Sequence, residues 1–279
     1  MIKDGAGHHP HSLRDPTLIA DFIARSLEPA LASPAFAGKK FTKSSFYGVE
    51  NHYRDFPKEG MYITCRGPLF SDSYDRYEFK PDSTTGTIAV IAPKMAAPGK
   101  PWVLRADFVT RDAMVDLALL HKGFHIVTGP RPRDPNGTVL QDWNAVYNYL
   151  IDQGFSTKPV MEGAGGAAGE AYAWAIANPG KVSCIYGENP VLRSIMSGRR
   201  EEKQPLDNLA PLAKAGVPIL HVCGQLDPWL DRETRVAEKR YKEFGGRIMV
   251  IIRKGEGHFP TGPVDPKPVV DFIVAKAQP

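Results

Sequence analysis

Cysteine is scarce in this chain: Cys65, Cys184 and Cys223 are the only three, each alone within an apolar stretch. With no CxxC pair and an odd count, neither a disulfide framework nor a zinc site is expected, and the thiols read as buried and free. Long apolar runs are also missing. None approaches the roughly 18 residues needed to span a bilayer, and the first 20 residues have no signal-peptide core. The chain is therefore expected to be soluble, cytoplasmic where this N-terminus is native and secreted or periplasmic where a signal peptide has been removed. Charge of one sign is lacking as well: 35 basic against 31 acidic residues leave +4, without a basic block. Neither a nucleic-acid nor a membrane partner is expected. His8, His9 and His11 sit beside Gly and Pro near the terminus and read as a solvated arm, so no metal is expected.

What is abundant is glycine and proline, 26 and 25 residues, roughly 18% of the chain against an average near 12%. Turns and close backbone approaches are implied. Length allows one large domain. Residues 16–32 carry apolar side chains at helical spacing, so an N-terminal arm and helix is expected over 1–59, packing on a single domain over 60–279. That domain opens with short strands near Tyr62–Arg66, Tyr77–Lys80 and Thr87–Ile91, which read as antiparallel.

From Trp102 onward strand and helix alternate. Strands are expected at Trp102–Phe108, Phe124–Thr128, Pro159–Glu162, Val182–Tyr186, Ile219–Cys223 and Arg247–Ile252. Helices are expected at Asp112–His121, Leu140–Asp152, Ala167–Ala177, Leu206–Ala215, Asp231–Phe244 and Lys267–Ala277, with a small lid insert near 189–205. This order predicts an α/β fold, a mostly parallel sheet with helices on both faces, whose ligand site lies beyond the carboxyl ends of the strands.

The loops at those ends include HVCGQLDPWLD (221–231) and GEGHFP (255–260), with an acid after the penultimate strand and a histidine after the last. In this the chain resembles the α/β-hydrolase superfamily over roughly residues 60–279, and the resemblance implies that Asp227 and His258 are the acid and base. MEGAGGAAGEAYAW (161–174) stands where the family has its nucleophile elbow, G-x-S-x-G. The serine position is Gly165, and no Ser, Cys or Asp lies between Val160 and Tyr172 to replace it. Glycine relieves the backbone strain that an elbow imposes. Its presence marks either a chain that has given up acyl-enzyme chemistry or one whose nucleophile was removed by engineering.

Without a nucleophile, a His258–Asp227 dyad remains useful as a general base, acting on water or on an acidic C–H or O–H in hydrolysis or in cofactor-free lyase or oxygenase-type chemistry. No cofactor is expected. The resemblance implies oxyanion donors at the backbone N–H groups of Gly166 and Ala106. Arg105, Asp107, Glu162, Glu188 and Trp229, with Arg131 and Arg133 nearby, are candidates for substrate contact, although Glu162 and Glu188 also suit structural roles at strand ends. The short insert suits an open pocket and favours a bulky or polymeric substrate over a tiny buried one, while the antiparallel strands and N-terminal helix are compatible with a carbohydrate-linked esterase relative; the substrate expected is small or saccharide-linked. Two other readings compete: a non-catalytic hydrolase-fold binding protein, and a dinucleotide-binding oxidoreductase. The latter rests on Gly163-Ala164-Gly165-Gly166-Ala167-Ala168 as G-x-G-x-x-A, with Glu188 near the offset of about 20 residues expected of a ribose-binding acid.

Overall fold

Strands covered on both faces are apolar at consecutive rather than alternate positions, and segments such as Ile88–Ala92, Trp102–Arg105 and Ile219–Gly224 have that pattern. In a computed structural model they form the middle of one sheet. The structure describes residues 42–46, 50–53, 63–66, 74–106, 113–129, 139–193, 204–259, 263 and 265–277. The chain divides into two units, Met1–Ala35 and Phe36–Pro279, and every element below belongs to the second.

The strands are β1 (Thr42–Phe46), β2 (Glu50–Tyr53), β3 (Ile63–Arg66), β4 (Tyr74–Phe79), β5 (Ile88–Ala92), β6 (Trp102–Arg105), β7 (His125–Thr128), β8 (Val160–Ala164), β9 (Cys184–Glu188), β10 (Ile219–Gly224) and β11 (Ile248–Arg253). Nine of them form a sheet in the order β1-β4-β5-β7-β6-β8-β9-β10-β11, while β2 and β3 pair separately. β4 and β6 to β11 run parallel to one another; β1 and β5 are antiparallel to their neighbours. The helices are α1 (Met114–His121), α2 (Val139–Asp152), α3 (Ala167–Ala177), α4 (Ala210–Lys214), α5 (Arg235–Glu243) and α6 (Lys267–Lys276).

Alternate strand residues feed two cores. Leu104, Met161, Ile185 and Ile219 pack with Trp143, Tyr172, Leu212 and Tyr241 from α2, α3, α4 and α5. Val103, Val160, Leu220 and Val222 pack on the opposite face with Leu117 and Leu120 of α1 and Val270 and Ile273 of α6. From β6 the chain goes to β7 on one side, then returns across β6 to β8 on the other. That reversal places a crevice beyond the carboxyl ends of β6 and β8, where open α/β sheets bind ligands.

Several boundaries differ from the sequence expectation. β1 lies upstream of residue 60 yet extends the main sheet, because its register against β4, from Thr42 opposite Glu78 to Phe46 opposite Tyr74, continues the ladder. β3 pairs with β2 rather than entering the main sheet. The helix expected over 206–215 is a 3₁₀ turn, Pro205–Asp207, followed by the short α4 with Pro211 in its first turn, a residue tolerated there and not further inside a helix. The helix expected from Asp231 starts as a π turn, Leu230–Thr234, before α5. The helix expected over 16–32 and most of the insert, 194–203, lie outside the described residues.

Candidate functional site

β8 ends at Ala164, and the chain turns into α3 through Gly165, whose φ is +52°. This left-handed conformation strains any residue with a Cβ, so glycine holds the turn without cost. The Gly165 N–H donates to the Glu188 carbonyl at 2.9 Å, and the Val191 N–H donates to the Gly165 carbonyl at 2.9 Å, so the chain after β9 braces the turn from both sides. The N–H of Gly166 donates to no backbone acceptor outside the helix among the described residues.

His258 follows β11, and its Nδ1 lies 3.1 Å from Asp227 Oδ1. The same oxygen accepts the Trp229 N–H at 3.0 Å. An anionic acceptor on Nδ1 selects the tautomer that carries its proton there and leaves Nε2 free to accept one. That Nε2 lies 3.4 Å from the position of an ideal Cβ on Gly165. The imidazole is thus held between a buried carboxylate and the elbow. Gly224, at the end of β10, allows the histidine loop to cross close over it: a Cβ there would come 2.1 Å from the Gly257 carbonyl oxygen.

Three expected substrate contacts are buried ion-pair partners instead. The Arg105 guanidinium is salt-bridged to Asp116 of α1 and to Glu162 at 3.0 Å, with its side chain 5% exposed. Arg105 and Glu162 stand directly opposite in the β6–β8 register, so their side chains meet on one face of the sheet. Glu188 is bound by Arg253 at 2.8 Å and accepts the Tyr186 hydroxyl at 2.5 Å. Arg253 also pairs with Glu256 at 3.1 Å. Buried charges demand such partners because desolvation is expensive, which is why these residues face inward. The commitment of Glu188 to Arg253 also removes the ribose-binding acid on which the dinucleotide reading depended.

Ala106 departs from expectation too. Its N–H donates to the Glu162 carbonyl at 2.9 Å, continuing the sheet ladder, and is not available to an oxyanion. Asp107, Arg131 and Arg133 lie outside the described residues. Trp229 is half-buried, and the group it places against the dyad is its backbone N–H rather than its indole. Sequence reasoning passed over Asn189, which is fully buried with φ +42°. The signal for it in the sequence is the Asn-Pro pair directly after a strand-like stretch.

Below the Asp227 turn, His221 Nε2 is 2.6 Å from the Tyr172 hydroxyl and Nδ1 is 3.2 Å from Thr234 Oγ1. Burial lowers its pKa from 6.5 to about 3, and burial likewise lowers that of His125 to about 4. Both are neutral in the fold but accept protons in the unfolded chain below about pH 6.5. The unfolded state then binds more protons, so stability falls as pH falls from 6.5 toward those lower values. Lowering the pH from 7 to 5 should remove about 2 kcal/mol per histidine, seen as a drop in denaturant midpoint that His221→Gln and His125→Gln each lessen. Burial pushes the free thiols of Cys184 and Cys223 up to about 12, leaving them unreactive. Among the described residues no cluster of three metal-binding side chains occurs, and no helix is long and apolar enough to cross a membrane.

No family model matches the chain, and no curated protein matches it in sequence. Solved structures do resemble it. An esterase from the bacterial hormone-sensitive lipase family superposes with a TM-score of 0.56 at 15% identity, over 76% of this chain and 87% of the esterase. A truncated carbohydrate esterase from gut microbiota gives 0.52 at 14% identity, over 72% and 95%. Porphyromonas gingivalis dipeptidyl peptidase 4 gives 0.55 at 10% identity over 85% of this chain, which spans 35% of that peptidase. The chain has the α/β-hydrolase fold.

Proposed function

We propose that this protein is a hydrolase-fold enzyme without a covalent nucleophile, in which His258, oriented by Asp227, acts as a general base on water. The observation that carries the reading is the placement of His258 Nε2, 3.4 Å from where a Cβ on Gly165 would stand. The free ring nitrogen therefore faces the position from which an elbow serine would attack, and a water held there would lie within its reach. In hydrolysis of an ester, the water oxygen bonds to the acyl carbon as its proton passes to Nε2. Asp227 stabilises the resulting imidazolium. The Gly166 N–H, at the positive end of α3, supports the oxyanion. On collapse, the bond to the alkoxide breaks and the Nε2 proton passes to it, releasing acid and alcohol and restoring neutral His258.

The substrate we propose is a small or saccharide-linked ester. One structural neighbour is itself a carbohydrate esterase, which supports this choice. The test is turnover of acetylated sugars and aryl esters in ¹⁸O-labelled water, with mass spectrometry of the protein. Label in the product acid, no acyl adduct, and a 10²–10⁴-fold loss in His258→Ala are expected. Turnover unaffected by His258→Ala would overturn the assignment, and ligand binding without turnover would favour a binding protein instead.

A further inference from the structure

We infer that Asn189 is a positioning residue of the site, a buried side chain that ties the histidine loop to the aspartate turn from the end of β9. Its importance for chemistry rests on the general-base reading above.

The residue stands one position beyond β9, between the two strands that end in the dyad and the strand that ends in the elbow. Its backbone N–H donates to the Val222 carbonyl at 2.8 Å, its Oδ1 accepts the Gly224 N–H at 2.8 Å, and its Nδ2 donates to the His258 carbonyl at 2.6 Å. One carboxamide thus joins the last residue of β10, which opens the turn to Asp227, to the backbone of His258 itself. Its two chain neighbourhoods complete the connection: Glu188 and Val191 hold the Gly165 peptide from either side. Elbow, acid turn and base loop meet at this residue.

Neither half of the amide is replaceable by a simple swap. The Gly224 N–H needs an acceptor and the His258 carbonyl a donor, and the amide of asparagine supplies both from two separate atoms, which the single oxygen of serine or threonine does not. Its φ of +42° also falls where asparagine is among the few tolerated residues. The close crossing over Gly224 makes the arrangement stiff. The His258 loop is pressed to the end of β10 from above, and Asn189 binds it from the side of β9.

The test reads the dyad directly, in full-length protein selectively ¹⁵N-labelled at histidine. Asn189→Gly keeps the left-handed backbone and deletes both side-chain bonds. In the parent, the His258 ring shifts should report the Nδ1-protonated tautomer. In Asn189→Gly they should move toward the mixed-tautomer average, while those of His125 and His221 stay in place. Where a turnover assay exists, kcat should fall about 100-fold with little change in KM. Asn189→Asp keeps the acceptor for Gly224 and replaces the donor to His258 by a carboxylate oxygen that repels its carbonyl, so it should give the same selective change. Unchanged His258 shifts in either folded variant, or failure of both variants to fold, would overturn the assignment, the latter because the role would then belong to the fold at large. The spectrum does not depend on catalysis. A selective tautomer change in a protein that hydrolyses nothing would sink the general-base proposal and leave the positioning role standing.

Discussion

Gly165→Ser is expected to turn the site into an acyl-enzyme-forming esterase. A Cβ on this residue stands 3.4 Å from His258 Nε2, so a hydroxyl one bond further out comes within hydrogen-bond reach of that nitrogen. Asp227 already holds the other side of the ring at 3.1 Å. Nucleophile, base and orienting acid would then be in line. The substitution places a side chain at φ +52°, which costs roughly 1–3 kcal/mol, and the elbow is braced by the Glu188 and Val191 peptides against relaxing away from it. With an aryl acetate, the variant should release a burst of phenol equal to the enzyme present and gain the mass of one acetyl group. The rate of its phenol burst should exceed the parent's turnover of the same ester on the order of 10³-fold, short of the roughly 10⁶-fold that serine contributes to an evolved triad. The shortfall has a structural source, since the Ala106 N–H is consumed by the Glu162 carbonyl and only the Gly166 donor can be counted on. A folded variant with neither burst nor adduct would mean that Nε2 is not presented to the elbow.

Asp227→Asn should be the most damaging isosteric change to whatever turnover the parent shows. The Asp227 side chain is 1% exposed, and its Oδ1 accepts two N–H groups, from His258 and from Trp229. An asparagine can keep its oxygen on those two donors, but it no longer carries the charge that stabilises the imidazolium. It also puts an N–H₂ where Oδ2 now lies buried with no hydrogen-bond partner among the described residues. A loss of about 10²–10⁴-fold in kcat follows, with KM nearly constant because the acid touches no substrate. Steady-state kinetics on the substrate found for the parent decides it. Equal losses of stability and activity, rescued by cooling, would instead mark Asp227 as a structural residue.

Much of this architecture was legible from the chain alone. Continuous apolar runs such as IAVIA (88–92) and ILHVCG (219–224) announced strands covered on both faces, and the glycine cluster at 163–169 marked the strand-to-helix turn. Asp227 and His258 could be singled out as candidates because each lies in the loop after a recognisable strand. The ionic residues were harder. Arg105, Glu162 and Glu188 stand at strand ends on the functional rim, where sequence alone cannot tell a side chain that reaches out from one that folds beneath. The partners that draw them inward, Asp116 and Arg253, lie on other elements.

What the sequence by itself determined is most of the order of strands and helices and the glycine at the strand-to-helix turn, because these depend on local periodicity and on the identity of one residue. Only the tertiary structure decided which charges are paired, which backbone donors are spent, and that Asn189 ties the acid turn to the base loop. Those outcomes depend on which strands lie side by side, and the return across β6 makes neighbours of residues far apart in the chain.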